Sequence, residues 1–177
     1  MGARRKTIQI AILLGVLLIG GYAIGKTLFA NDSSVPKPGE QPPAFTLGDL
    51  NGNTHKLEDY VGRPLVINFW GTFCKPCVTE MPTFQKQYDS WKEKGLDIEL
   101  LAINLSEPTL PIVNFVRKLE LTYPIVRDVG RKTERAFGIR SYPTTIFVKP
   151  DGKIMEIFIG PMSEEQIEQR VEQLLQA

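Results

Sequence analysis

Leu65-Val66-Ile67-Asn68-Phe69-Trp70-Gly71-Thr72-Phe73-Cys74-Lys75-Pro76-Cys77 is the stretch on which the rest of the chain depends. Its first half, with Pro64 ahead of it, is rich in Val, Ile, Phe and Trp, which predicts a buried strand. After Cys77 the apolar residues Met81, Phe84, Tyr88 and Trp91 recur every three or four positions, with Glu80, Gln85, Lys86 and Asp89 between them. That spacing predicts an amphipathic helix, running to about Lys94 and stopped by Gly95. The only two cysteines of the chain therefore fall where a strand ends and a helix begins.

A helix start has unpaired backbone N–H groups and the positive end of the helix dipole, and both favour an anion. A thiol in a C-x-x-C at such a position drops from about 8.5 to roughly 3.5–7.5. Cys74 is the expected attacking sulfur and Cys77, one turn on, the resolving one. Pro76 suits the first turn, where its missing N–H is not needed. Lys75 adds a positive charge beside the sulfurs. Trp70 and Phe73 are expected to pack around the pair and shape it.

Other uses of two cysteines fit less well. A structural disulfide closing so short a loop removes little chain entropy. Zinc needs about four ligands, and two Cys with the lone His55 do not supply them, so no metal is expected. Peroxidase chemistry is associated with P-x-x-x-T-x-x-C, but Ile67 and Gly71 stand at its Pro and Thr positions. A Cu(I) carrier using both thiolates is a reading from a different class, to be separated by metal titration.

Outward from this stretch, the 177 residues suffice for one domain with appendages. The net charge is +1, unevenly spread: residues 1–30 hold Arg4, Arg5, Lys6 and Lys26 and no acid, so the remainder is mildly acidic. Such a domain gives no electrostatic case for nucleic acid. From Ile8 to Ile24 the chain is apolar apart from Gln9 and Tyr22, about 26 Å of helix, close to what a bilayer core requires. The basic cluster before it predicts a single-pass anchor, N-terminus in the cytoplasm and the rest outside. Ala23-Ile24-Gly25 resembles a signal-peptidase site, yet the apolar stretch is long for a signal peptide; an uncleaved anchor over 1–30 is expected. Residues 31–43, with four prolines, read as a semi-extended linker.

The domain, 44–177, starts with alternating residues on either side of Asn51-Gly52, which predicts a hairpin. His55 is expected at its surface without a chemical role. Leu57 to Tyr60 reads as a helical turn, Asp97 to Asn104 as a strand, and Pro108 or Pro111 as the opening of a helix with Ile112, Val113, Phe115, Val116 and Leu119 on its apolar side. An extended piece at Tyr123 to Val126 follows, then a short helix from Arg131 to Phe137 closed by Gly138. Thr144 to Val148 and Lys153 to Ile159 flank Asp151-Gly152 as a second hairpin. A last helix begins at Ser163, with Gln166 completing a capping box, and is expected to bury Ile167, Val171, Leu174 and Leu175. This order predicts an α/β domain, a mixed central sheet flanked by helices, and a C-x-x-C at a strand-to-helix junction in it reads as a redox motif.

From Pro43 onward the chain resembles the thioredoxin-like branch that includes ResA and TlpA, membrane-anchored thiol–disulfide oxidoreductases of bacterial cytochrome c maturation. The resemblance lies in Pro43-Ala44-Phe45-x-Leu47 with Gly52, in Val66 to Cys77, in Glu80-Met81-Pro82, and in Tyr142-Pro143-Thr144-Thr145. It implies a thioredoxin-like fold with an N-terminal hairpin and a helical insertion around Glu107 to Thr122. It implies that Pro143 is cis and lies against the cysteines, with the backbone of Tyr142 free to pair with a substrate chain. Glu80, three residues past Cys77, would by itself be a solvated helix carboxylate. The resemblance instead places it partly buried beneath the sulfurs, tuning the thiols or moving protons. Glu107 is implied as a site-lining residue. Lys75 departs from the Glu common between the cysteines of ResA-type proteins, so the redox potential does not carry over. The implied activity is reduction of the C-x-x-C of apocytochrome c, with a CcdA-type membrane dithiol carrier as electron donor and no cofactor besides the Cys74–Cys77 disulfide. An oxidant, or a reductase for other exported proteins such as those of the spore envelope, is the alternative.

Overall fold

The computed structural model describes residues 9, 12–22 and 35–177. Residues 12–22 are helical. Among the described residues no helix is long and apolar enough to cross a membrane. The rest of the expected anchor and residues 31–34 of the expected linker lie outside the described residues.

Residues 35–177 form one compact unit. Its strands are β1 (Thr46–Asp49), β2 (Thr54–Lys56), β3 (Leu65–Trp70), β4 (Glu99–Asn104), β5 (Ile125–Arg127), β6 (Thr144–Val148) and β7 (Ile154–Ile159). Its α-helices are α1 (Lys75–Glu93), α2 (Thr109–Lys118), α3 (Lys132–Ala136) and α4 (Glu164–Leu175), and Leu57–Tyr60 is a 3-10 turn. All seven strands share one sheet in the order β2-β1-β5-β4-β3-β6-β7. β3, β4 and β5 run parallel, and β6 and β1 join them antiparallel.

All six residues of β3 are buried because both faces of the sheet are covered, which is why its sequence is almost unbroken in apolar character. On one face Val66 and Trp70 meet Met81, Phe84 and Trp91 of α1, Ile112 of α2, and Ile167, Val171 and Leu174 of α4. On the other, Leu65, Ile67 and Phe69 meet Phe45, Tyr60 and Phe137. The one polar side chain of β3, Asn68, is satisfied across the sheet: its Nδ2 donates to Thr145 Oγ1 at 3.0 Å.

Helix ends follow the sequence signals. Ser163 Oγ accepts the N–H of Gln166 at 3.3 Å, and Gln166 returns the bond to Ser163 N–H at 2.9 Å. Gly95 and Gly138 stand past the ends of α1 and α3 at φ 66, a conformation that glycine adopts without Cβ strain. Leu175 does not join the core; it follows Leu174 onto the outer side of the last turn and is 40% exposed.

Two further features of the domain differ from the sequence reading. His55 is half-buried rather than superficial: its Nδ1 lies 2.6 Å from the Tyr60 hydroxyl and its Nε2 3.3 Å from Asp49 Oδ2. The second half of the proline-rich stretch is seated on the domain, with Pro36 and Pro42 buried. There Gly39 N–H donates to Ile154 O, and Ile154 N–H to Glu40 O, each at 2.8 Å. Ile154 opens β7, so this seat lies at the end of the sheet opposite the C-terminal end of β3.

Candidate active site

The parallel ladder aligns three strand ends, and the loops that leave them form one pole of the domain. Trp70 pairs with Asn104, and Asn104 with Arg127. Phe69 pairs with Thr144, which brings Tyr142 and Pro143 beside the residues that follow Trp70. The sheet register alone therefore gathers 71–74, 105–108, 128–131 and 141–143.

Cys74 and Cys77 are joined as a disulfide at this pole, with Cα atoms 5.3 Å apart. Cys74 is the N-cap of α1, and its Sγ accepts the N–H of Cys77 at 3.3 Å. That N–H is one of the donors a helix start leaves unpaired, so a negative sulfur at this place is directly stabilised. Cys74 is 8% exposed and Cys77 1%, so the first sulfur is the one a partner can reach. Pro76 lies at the second helical position, where no backbone bond is lost. Lys75 is exposed beside it.

The Tyr142–Pro143 bond is cis, and Pro143 is buried. Glu80, one turn beyond Cys77, is 3% exposed and lines a cleft of about 430 Å³ with Lys75, Thr79, Thr83, Pro161 and Met162. Its Oε1 accepts the N–H of Met162 at 3.2 Å. Burial pushes this carboxyl up to about 8, and the Met162 bond only partly opposes it. At neutral pH it is therefore mostly a protonated acid.

Glu107 does not open towards the disulfide; it grips the chain just before it. Its carboxylate accepts Thr72 N–H at 2.7 Å, the Thr72 hydroxyl, and Asn104 Nδ2 at 2.6 Å. Arg127 holds the Glu107 carbonyl through Nε at 3.2 Å and Nη2 at 2.9 Å. Trp70 is fully buried against Phe115, with ring centroids 5.2 Å apart, and its Nε1–H has no partner among the described residues. Phe73, expected to pack, is 65% exposed. Its ring lies over Gly71, where an added Cβ would come within 2.4 Å of it, and it meets Tyr142 edge-on at 6.2 Å.

Sequence reasoning did not single out Arg131, Glu134, Thr72, Asn104 or Met162. Arg131 and Glu134 carried a local signal, opposite charges three residues apart, and Asn104 likewise pairs with Glu107 three residues on. Thr72 and Met162 meet their partners Glu107 and Glu80 across long separations, which leaves no spacing to read.

Fold and site together define a thioredoxin-like protein built for exchange between a dithiol and a disulfide. The chain belongs to the AhpC/TSA family, whose model matches residues 38–157, and among its members it groups with the ResA thiol–disulfide oxidoreductases. It is 39% identical over 162 residues to "Thiol-disulfide oxidoreductase ResA" of Halalkalibacterium halodurans, covering 90% of this chain and 91% of the relative. With the protein of the same name from Bacillus subtilis it shares 35% over 164 residues, covering 93% and 90%. A crystal structure of a putative thiol:disulfide interchange protein DsbE from Chlorobium tepidum superposes with a TM-score of 0.73 at 25% identity, covering 79% of this chain and 99% of that one.

Proposed function

We propose that this thiol–disulfide oxidoreductase reduces the C-x-x-C disulfide of apocytochrome c outside the cytoplasmic membrane, held there by its N-terminal apolar segment. The observation that carries the chemistry is the placement of Cys74 Sγ: it is the more accessible sulfur, it caps a helix start, and it lies at the pole that also holds the cis Tyr142–Pro143 bond. The client and compartment follow from the family resemblance, the basic residues ahead of Ile8 and the apolar run after them.

In the reduced protein the Cys74 thiolate attacks one sulfur of the client disulfide. A mixed disulfide forms, and the client's other sulfur leaves as a thiolate and takes up a proton. Cys77 then loses its proton and attacks Cys74 Sγ, releasing the client's second thiolate. Two electrons have passed from the Cys74–Cys77 pair to the client, and the pair is left bridged. A CcdA-type membrane dithiol carrier returns it to the dithiol. Glu80, one turn below Cys77, exchanges protons with the pair. Tyr142 offers its backbone to the client strand.

The test is capture in the cell envelope. A Cys77→Ala variant accumulates a mixed disulfide through Cys74, and the adduct contains apocytochrome c; a Cys74→Ala variant yields neither adduct nor turnover. Recovery of adducts from which apocytochrome c is absent would remove the client assignment. A reduction potential too oxidising to reduce the client's C-x-x-C would reverse the direction of electron flow.

A further inference from the structure

We propose that Arg131 and Glu134 are positioning residues for the exchange reaction, holding Tyr142 and, through it, Phe73 as a fixed aromatic ledge beside Cys74. The ledge favours polypeptide disulfides that carry a bulky apolar side chain next to the reacting cysteine. The inference rests on exchange taking place at Cys74.

The latch begins in α3. Asp128, 1% exposed, accepts the N–H groups of Thr133 at 3.1 Å and Glu134 at 2.8 Å. Phe137, also 1% exposed, fixes the other end of the helix against Phe69 at 5.3 Å and Phe45 at 6.4 Å. On this anchored turn Glu134 is 4% exposed. Its carboxylate accepts two bonds from the Arg131 guanidinium, through Nε and through Nη2 at 2.6 Å, and one from the Tyr142 hydroxyl. Arg131 Nη2 also donates to that hydroxyl at 3.0 Å. Arg131 itself stands at φ 57, a left-handed conformation that costs a non-glycine residue free energy. Its backbone N–H donates to Asp128 O at 2.9 Å, and its side chain is held by the fork on Glu134. A buried carboxylate with three donors leaves the tyrosine little freedom of rotation.

Tyr142 passes this constraint to the site. Its ring meets Phe73, which is confined on another side by the bare backbone of Gly71. Phe73 is thus held in place and yet 65% exposed, one residue before the attacking cysteine. The surroundings say what it would bind. Phe73 stands one residue from the reachable cysteine, and other exposed apolar residues lie at the same end of the sheet: Ile159 closes β7, Val129 follows β5 and Leu110 is in the first turn of α2. A fixed, exposed aromatic ring beside the reachable cysteine suits an apolar side chain on the client, and a small polar disulfide gains nothing from it.

The test uses the full-length reduced protein in detergent micelles with three oxidised probes. These are glutathione disulfide and two disulfide-closed C-x-x-C peptides that differ only in Phe or Gly before the first cysteine. Rates are read by acid quench, alkylation and mass spectrometry. The wild type reduces the Phe peptide about three- to tenfold faster than the Gly peptide, the size of one good aromatic contact. Glu134→Gln and Arg131→Met bring that ratio close to one and leave the glutathione rate in place; Arg131→Lys restores part of the ratio. Should Glu134→Gln fail to fold, Arg131→Met still decides, because that side chain is 53% exposed. A ratio unchanged in a folded latch variant, or equal peptide rates in the wild type, overturns the ledge alone. Absence of exchange with all three probes overturns the exchange reading and the ledge with it.

Discussion

Replacing Glu80 by Gln should make the protein more stable, by an amount that grows with pH. Glu80 is 3% exposed, and its carboxyl is raised from 4.5 to about 8 by burial. A raised acid holds its proton more tightly in the folded state than in the unfolded one. Between 4.5 and about 8 the folded state therefore binds more protons, and stability falls as pH rises. Below 4.5 both states are protonated and the effect is absent; above about 8 it is complete. At 1.36 kcal/mol per unit the full shift is worth about 5 kcal/mol, of which about 3 kcal/mol is already felt at pH 7. Glutamine has nearly the shape of the protonated acid, and its oxygen still accepts the Met162 N–H. The wild type and Glu80→Gln should thus be nearly equal at pH 4.5 and diverge towards pH 9. All other titrating groups are common to both proteins and cancel in the difference. Denaturant unfolding of the oxidised forms, followed through buried Trp70 and Trp91, measures it. Parallel stability curves from pH 5 to pH 9 would refute the burial argument and remove Glu80 as a group that titrates near neutrality.

Two further outcomes follow from the loops. Glu107→Ala strips the acceptor from Thr72 N–H, the Thr72 hydroxyl and the Asn104 amide, and should cost about 2–3 kcal/mol; thermal unfolding reads this, and a loss under about 0.5 kcal/mol would show that the grip on the loop is not made. Gly138→Ala places a Cβ at φ 66 and 2.5 Å from a Val35 methyl, so it should cost about 1–2 kcal/mol. Adding Val35→Ala should recover the steric part but not the backbone part, and strict additivity of the two changes would mean that residue 35 is not seated there.

The elements most legible in the sequence were those whose pattern is local. β3 announced itself through an apolar run buried on both faces, α1 through its three-and-four spacing, and α4 through Ser163 and Gln166. The strand-to-helix position of Cys74 and Cys77 followed from these. Glu80 was not legible from spacing, because a carboxylate three residues past Cys77 can face solvent as readily as protein; only the chain segment ending at Met162 closes over it. Phe73 is expected to pack around the cysteines and shape the site; its ring does pack on Gly71 and Tyr142, but it stands largely in solvent, which no local pattern shows. The Arg131, Glu134 and Tyr142 cluster depends on α3 lying against the segment before β6. His55 is held within its own hairpin by Asp49 and by Tyr60 just beyond it, a pairing that strand alternation does not show; the docked residues 35–43 depend on chain segments that meet only after the sheet has formed.

The docking of residues 35–40 also sets where mechanical load would enter the domain. A pull through the N-terminal chain would load Val35 against Gly138 first and then the Gly39 and Glu40 bonds to Ile154, the first residue of β7, at the end of the sheet away from the sulfurs. Tension arriving from that side would meet a sheet corner before it reached the reactive end.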